Sequence, residues 1–129
     1  MNGYNSLSKK QKASLFKENY GYWKEKSLNE NGFFVIFNGF LQTEILKKIS
    51  GNALKLYIYL GLNSGNLTGE VWHSHKSIAT YFGKSERTIR AWFKELEDLN
   101  LIQKMQLEFN GVNHVYLQPY QAGDIRKKY

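Results

Sequence analysis

The spacing of apolar residues predicts two helices in the centre of the chain. Between residues 53 and 62 apolar positions are so frequent that the helix should be buried on more than one side, with Ser50 or Asn52 as its cap. A short helix should follow Ser74, since Ile78, Ala79 and Phe82 make one apolar stripe.

A third helix is predicted to begin at Ser85, a favoured N-cap residue. Apolar residues recur along it at three- and four-residue steps, at Ile89, Trp92, Phe93, Leu96 and Leu99. Gly83 supplies the turn that separates it from the short helix, and Asn100 suits the left-handed residue that ends it.

The pattern then changes to alternation, which predicts a β-hairpin. Residues 101–109 and 112–117 form the two strands, and Asn110-Gly111 is a strong signal for a two-residue turn. Such a turn would pair Phe109 with Val112, Leu107 with His114, and Met105 with Tyr116.

Helix, turn, helix and hairpin is the order of a winged helix-turn-helix, an α+β fold with a three-helix core and a hairpin wing. Residues 70–72 should add a small strand to the wing sheet, with Trp72 as a core or hinge residue. We expect this domain to span residues 33–118, between an extension at 1–32 and a basic tail at 119–129.

Charge is concentrated on the two helices around Gly83. The net charge is 18 − 11 = +7, which favours an anionic partner such as nucleic acid or an acidic membrane surface. From residue 74 to residue 94 only Glu86 opposes the cations Lys76, Lys84, Arg87, Arg90 and Lys94. The acids Glu95, Glu97 and Asp98 follow, so the first half of the third helix should face a polyanion and its second half water.

A cationic helix of this size fits the major groove of duplex DNA. We expect base contacts from one face of the third helix, at Arg87, Thr88, Arg90 and Ala91. Phosphate contacts are predicted for His75, Lys76, Lys84, Ser85 and Lys94. The wing would add Lys104, Asn110, Gly111 and Asn113 at the adjacent backbone or minor groove.

The extension at residues 1–32 should be helical and has three interpretations. Its lysines are interleaved with Leu15, Phe16, Tyr20 and Trp23. These aromatics could dock on their own domain, contact a second subunit in a homodimer, or touch DNA. At the C-terminal end, Arg126-Lys127-Lys128 should form a solvated tail that adds weak attraction for phosphates.

Other classes of function find no support. Without cysteine there is no disulfide or thiolate site, and no apolar run suits a membrane span or a signal peptide, so a cytoplasmic protein is expected. Gly83-Lys84-Ser85 imitates a phosphate-binding loop, but Ile78 stands where that loop needs Gly. We expect no metal at His73 and His75, an exposed His114, no cofactor, no small-molecule substrate and no enzymatic activity.

Residues 33–117 resemble the winged-helix domains of bacterial plasmid and phage replication initiators and related helix-turn-helix regulators. The matching segments include residues 50–57, 68–72, 77–79, 85–90 and 96–102, and residues 33–37 resemble a short opening strand of initiator domains. The resemblance implies sequence-specific binding to double-stranded DNA in replication initiation. The alternatives are a transcriptional regulator that binds an operator as a dimer, and a winged helix used as a protein-interaction module.

Overall fold

A computed structural model describes residues 3–106 and 113–120 of the chain. The chain divides into two compact units, with the boundary between Phe33 and Phe34.

The first unit consists of a 3₁₀ turn, Gly3–Ser6, and one long helix, α1, Lys9–Glu30. A reciprocal capping box starts α1: the Ser8 hydroxyl accepts from the Gln11 amide at 3.1 Å, and the Gln11 side chain accepts from the Ser8 amide at 2.7 Å. The extension is therefore helical, as predicted. None of the residues in these two elements is buried.

The described residues of the second unit form five helices. They are α2, Gly39–Gln42; α3, Ile45–Lys48; α4, Gly51–Leu62; α5, His75–Phe82; and α6, Glu86–Asp98. Serines cap the three long ones. Ser50, one of the two predicted candidates, caps α4, and Ser74 and Ser85 cap α5 and α6 as predicted. The left-handed residues Gly83 (φ 66°) and Asn100 (φ 58°) follow α5 and α6.

Three short strands form one antiparallel sheet in the order β1-β3-β2. They are β1, Glu70–Val71; β2, Ile102–Gln106; and β3, Asn113–Leu117. The small strand before the two-helix segment thus joins the wing sheet, as predicted, and it pairs with the second strand of the wing.

The core lies where α6 packs against α4 and α5 and where β2 contacts α6. Its fully enclosed side chains include Leu56, Tyr57, Leu60, Ile78, Ile89, Phe93, Leu96, Leu101 and Ile102. Three packed helices with a small antiparallel sheet make this unit an α+β winged helix-turn-helix.

The register of the wing differs from the prediction. Met105 lies opposite His114, whereas a two-residue turn at Asn110-Gly111 would have placed Tyr116 there. The base of the hairpin fixes the register, because buried Ile102 pairs with Leu117 and the Gln118 amide donates to the Leu101 carbonyl at 2.9 Å. The turn itself lies outside the described residues.

The predicted opening strand is wrong. Residues 33–37 are not part of the sheet; Phe34 instead lies against Gly61 and meets the Tyr57 ring edge-on at 5.6 Å. The neighbouring Phe37 amide donates to the Tyr120 hydroxyl at 2.8 Å. The segment is thus held by side-chain packing and by this hydrogen bond, and not by pairing with a strand.

Two further placements correct the sequence interpretation. Trp72 is exposed rather than part of the core, because it directly follows the buried Val71 and strand side chains alternate between faces. Tyr120 lies in the predicted tail at residues 119–129, but its ring packs edge-on against buried Phe40 at 5.1 Å and so belongs with the domain. In the part of the chain that the structure describes, no helix is long and apolar enough to cross a membrane.

Candidate nucleic-acid interface

The first turn of α6 is held by a hydroxyl pair. The Ser85 hydroxyl accepts from the Thr88 amide at 3.1 Å and lies 3.0 Å from the Thr88 hydroxyl, to which it donates. Thr88 is half-buried and Ser85 exposed. Both side chains thus stabilise the helix start, and their predicted DNA contacts remain predictions.

Two arginines occupy the exposed side of α6. Arg87, Arg90 and Ala91 are exposed, whereas Ile89 and Phe93 are fully buried in the core. Within residues 3–106 and 113–120 neither guanidinium has an ion-pair or hydrogen-bond partner. Each arginine therefore keeps its fork of donors available to an outside acceptor.

The predicted phosphate-binding lysines surround this side. Lys76 on α5 and Lys84 in the turn are exposed. Lys94 lies 3.5 Å from Asp98, but both side chains are highly exposed, so the ion pair is weak and solvent-screened. A phosphate could compete for this ammonium group.

His75 has a more enclosed setting than the sequence suggested. Its ring lies 4.7 Å from that of Phe93. Burial lowers the pKa of His75 below its usual 6.5, and the nearby charges of Lys104 and Arg90 lower it further. The neutral imidazole is favoured near pH 7, so His75 would meet a phosphate as a hydrogen-bond donor rather than as a cation.

The structure brings two of the predicted contact residues together at the start of α5. A cavity of about 190 Å³ is lined by His73, Ser74, His75, Asn113 and Val115. His73 is engaged elsewhere, since its Nδ1 lies 2.8 Å from the Tyr59 hydroxyl. Asn113, exposed at the start of β3, thus faces the same space as His75.

The other wing residues are placed differently. The Lys104 ammonium lies 3.3 Å from a Glu97 carboxylate oxygen and 5.3 Å from the centre of the Phe93 ring, and its side chain is mostly covered. It joins the wing to α6, and we leave it out of the interface. Asn110 and Gly111 lie outside the described residues.

The acidic second half of α6 does not simply face water, which corrects the sequence interpretation. Glu95 accepts from the Ser50 amide at 2.7 Å and from the Ser50 hydroxyl at 2.8 Å. It therefore caps the positive N-terminal end of α4. Glu97 pairs with Lys104 and Asp98 with Lys94, so all three acids have partners within the domain.

His114 is not an exposed wing residue. Its Nδ1 lies 2.5 Å from a Glu70 carboxylate oxygen, and this hydrogen bond lowers the pKa of Glu70. The exposed Trp72 ring lies 5.6 Å from the His114 ring. The exposed Trp72 is a candidate for contact with DNA beside the wing, and the sequence analysis did not identify it. Its position directly after β1 was the signal in the sequence that could have indicated its exposure.

The segment that imitates a phosphate-binding loop belongs to the two-helix unit. Gly83, Lys84 and Ser85, which imitate a phosphate-binding loop in sequence, form the turn between α5 and α6. Among the residues that the structure describes, no group of three or more His, Asp or Glu side chains could hold a metal ion.

A comparison with protein families agrees with this geometry. Residues 47–102, from α3 to the first residue of β2, match the family described as a helix-turn-helix domain. No curated protein and no solved structure matches the chain. The fold and the family match together support a helix-turn-helix domain at residues 47–102, with the cations of its second helix exposed.

Proposed function

We propose that the protein binds duplex DNA in a sequence-specific manner, with the N-terminal half of α6 in the major groove. Arg87 and Arg90 read base edges, where guanine O6 and N7 match a guanidinium fork. Ala91 lies against the bases, and Thr88 contacts a thymine methyl group or a phosphate.

Phosphate contacts then fix the position of the domain on the duplex. They come from both helices of the two-helix unit and from its turn, at His75, Lys76, Lys84, Ser85 and Lys94. Asn113 brings the start of β3 to the backbone beside His75. Trp72, directly after β1, adds an exposed ring.

One observation carries the proposal: two exposed arginines without partners among the described residues lie on the side of α6 that is turned away from the core. Long cationic side chains on a rigid, well-packed helix provide defined geometry. A structural role for these arginines would require an ion pair with a carboxylate. The three acids in the second half of α6 are engaged with Ser50, Lys104 and Lys94 instead, and among the described residues Glu86 forms no ion pair with either arginine.

The test is fluorescence anisotropy on duplexes selected from a random pool. Arg87→Ala and Arg90→Ala should each weaken binding to the selected site by about 1–3 kcal/mol and relax the sequence preference. If both variants bind that site as tightly as the parent, the orientation of α6 is wrong.

Lys94→Ala should weaken binding to all sequences alike. The slope of log K against log salt concentration should become shallower by the amount that corresponds to about one phosphate contact. Lys55→Ala is the matched control, because Lys55 is an exposed lysine on α4 that the proposal does not use.

The alternative function, a protein-interaction module, gives a different result. Such a module would show no salt-dependent binding to random duplex DNA even at low salt.

Within DNA binding, we favour replication-initiator-like binding to repeated sites over binding to an operator as a dimer. The initiator-like opening strand no longer supports this choice, since residues 33–37 are unpaired with the sheet. The charge pattern of α1 supports it, because lysines beside its aromatic residues oppose a homodimer through the extension. The selected sequences decide: tandem repeats favour an initiator, and a palindrome favours a dimeric regulator.

A further inference from the structure

Helix α1 carries a continuous row of exposed aromatic rings. At 3.6 residues per turn, one side of α1 contains Ala13, Phe16, Tyr20, Trp23 and Ser27, which follow each other at three- and four-residue steps. The three large rings are 55, 58 and 62% exposed. We call this row the aromatic stripe.

The rings contact one another within the first unit. The centres of Tyr20 and Trp23 are 5.7 Å apart, and Tyr4 of the 3₁₀ turn lies 6.2 Å from Phe16. The Lys12 ammonium sits 4.6 Å from the centre of the Tyr4 ring. The stripe is thus a surface of π-faces with a cation beside it.

Lysines flank the stripe on both sides. Lys10, Lys17 and Lys24 follow one edge at seven-residue spacing, and Lys12 and Lys26 follow the other with Asn19 between them. A second copy of α1, parallel or antiparallel, would bring lysine against lysine along both edges. Charge therefore opposes self-pairing and calls for an anionic occupant.

The composition of the stripe selects among anionic occupants. A helix that lies on an acidic membrane usually buries aliphatic residues, but this stripe contains no Leu, Ile or Val, and Leu15 and Leu28 lie on other sides of the helix. Aromatic rings with lysines beside them are the combination that binds single strands, because every base can stack on a ring while ammonium groups meet the phosphates.

We propose that the aromatic stripe of α1 binds single-stranded nucleic acid. Bases stack on Phe16, Tyr20 and Trp23, and Lys17 and Lys24 bind the phosphates along one edge. This site goes beyond the duplex-binding surface of α6, uses different residues and predicts little sequence preference.

The test measures anisotropy of a fluorescein-labelled oligothymidylate with the full chain. Tyr20→Leu and Trp23→Leu keep an apolar side chain with good helix propensity but remove the ring. Each should weaken binding about tenfold. Tyr22→Leu is the matched control, because Tyr22 is equally exposed but lies on the opposite side of α1, and it should bind like the parent.

A second set of variants separates this site from the duplex site. The double variant Arg87→Ala/Arg90→Ala should lose its selected duplex yet bind oligothymidylate like the parent. Tyr20→Leu should do the reverse. If the arginine variant loses both ligands, the single strand uses α6 and the stripe proposal fails, whereas failure of the duplex proposal alone leaves the oligothymidylate result unchanged.

Two other occupants give distinct results. Lys17→Glu/Lys24→Glu should abolish oligothymidylate binding. Pairing with a second copy would instead appear as a dimer of the parent chain in sedimentation. Binding to phosphatidylserine vesicles would persist in Tyr20→Leu and Trp23→Leu, because leucine enters membranes well. Either result, or equal oligothymidylate affinity of the leucine variants and the parent, overturns the proposal.

Discussion

Helices α1 and α6 contain similar residue types but arrange them in opposite ways. In α6 the aromatic residues Trp92 and Phe93 are buried with Ile89 and Leu96, and the arginines lie on the other side. In α1 three of the four aromatic residues share one exposed surface with lysines, and no residue is buried. The arrangement of these residues, rather than their number, determines whether aromatic rings build a core or a binding surface.

The two helices also differ in what stabilises them. Tertiary packing holds α6, as it does most helices in globular proteins. For α1 the visible stabilisation is local, namely its length of 22 residues and the capping box at Ser8. Four predictions test this contrast, from the largest expected effect to the smallest.

Removal of one aromatic ring should have very different consequences in the two helices. Phe93→Ala should reduce the free energy of unfolding by about 3–5 kcal/mol, because a fully buried ring leaves a cavity. Phe16→Ala in α1 should change it by less than about 0.5 kcal/mol. Urea unfolding followed by circular dichroism measures both, and equal losses would contradict the contrast.

Removal of Glu95 should have an intermediate effect. Glu95→Ala leaves the Ser50 amide and hydroxyl without their acceptor, which should cost about 1–3 kcal/mol in unfolding free energy. The neighbouring acid provides a control: Asp98→Ala breaks only an exposed ion pair and should cost under about 1 kcal/mol. A wild-type-like midpoint for Glu95→Ala would show that the link between α6 and α4 does not contribute to stability.

Loss of the α1 cap should act on that helix alone. Ser8→Ala removes the acceptor of the Gln11 amide and should cost about 1 kcal/mol of helix stability. Because α1 buries nothing, we expect less helical circular dichroism while the cooperative transition of the second unit stays in place. A shift of that transition would mean that the two units unfold together.

The smallest effect concerns pH. Since burial lowers the pKa of His75 below 6.5, its contribution to stability is complete above that pH and is lost as pH falls through the lowered value. His75→Gln should therefore lose less stability than the parent between about pH 7 and pH 5. Denaturant midpoints at both pH values measure this difference. Equal losses of stability in His75→Gln and the parent would exclude His75 as the source of the pH dependence.

The helices and their ends could be predicted because their determinants are local. Ser50, Ser74 and Ser85 are caps that any sequence window reveals, and the three- and four-residue steps of α6 fix its buried side. The exposure of Arg87 and Arg90 follows from that same periodicity. For these features the local rules and the tertiary structure agree.

The features that could not be predicted depend on contacts between distant residues. Nothing near Glu95 in the sequence indicates Ser50 as its partner, and nothing near Lys104 indicates that it covers Phe93. The hairpin register was wrong because the turn signal at residues 110–111 competed with the burial of Ile102, which acts at the other end of the strands. When the residues of a turn and the burial of core residues favour different registers, core burial determines the register.

The central position of β3 bears on how this domain is made. The sheet cannot form until β3, the last element along the chain, is available to join β1 and β2, and the bond from Phe37 to Tyr120 spans 83 residues. While a ribosome is still producing the chain, α4, α5 and α6 must leave the exit tunnel with one side uncovered. A nascent-chain folding assay should therefore detect the native structure of the second unit only after Tyr120 has emerged.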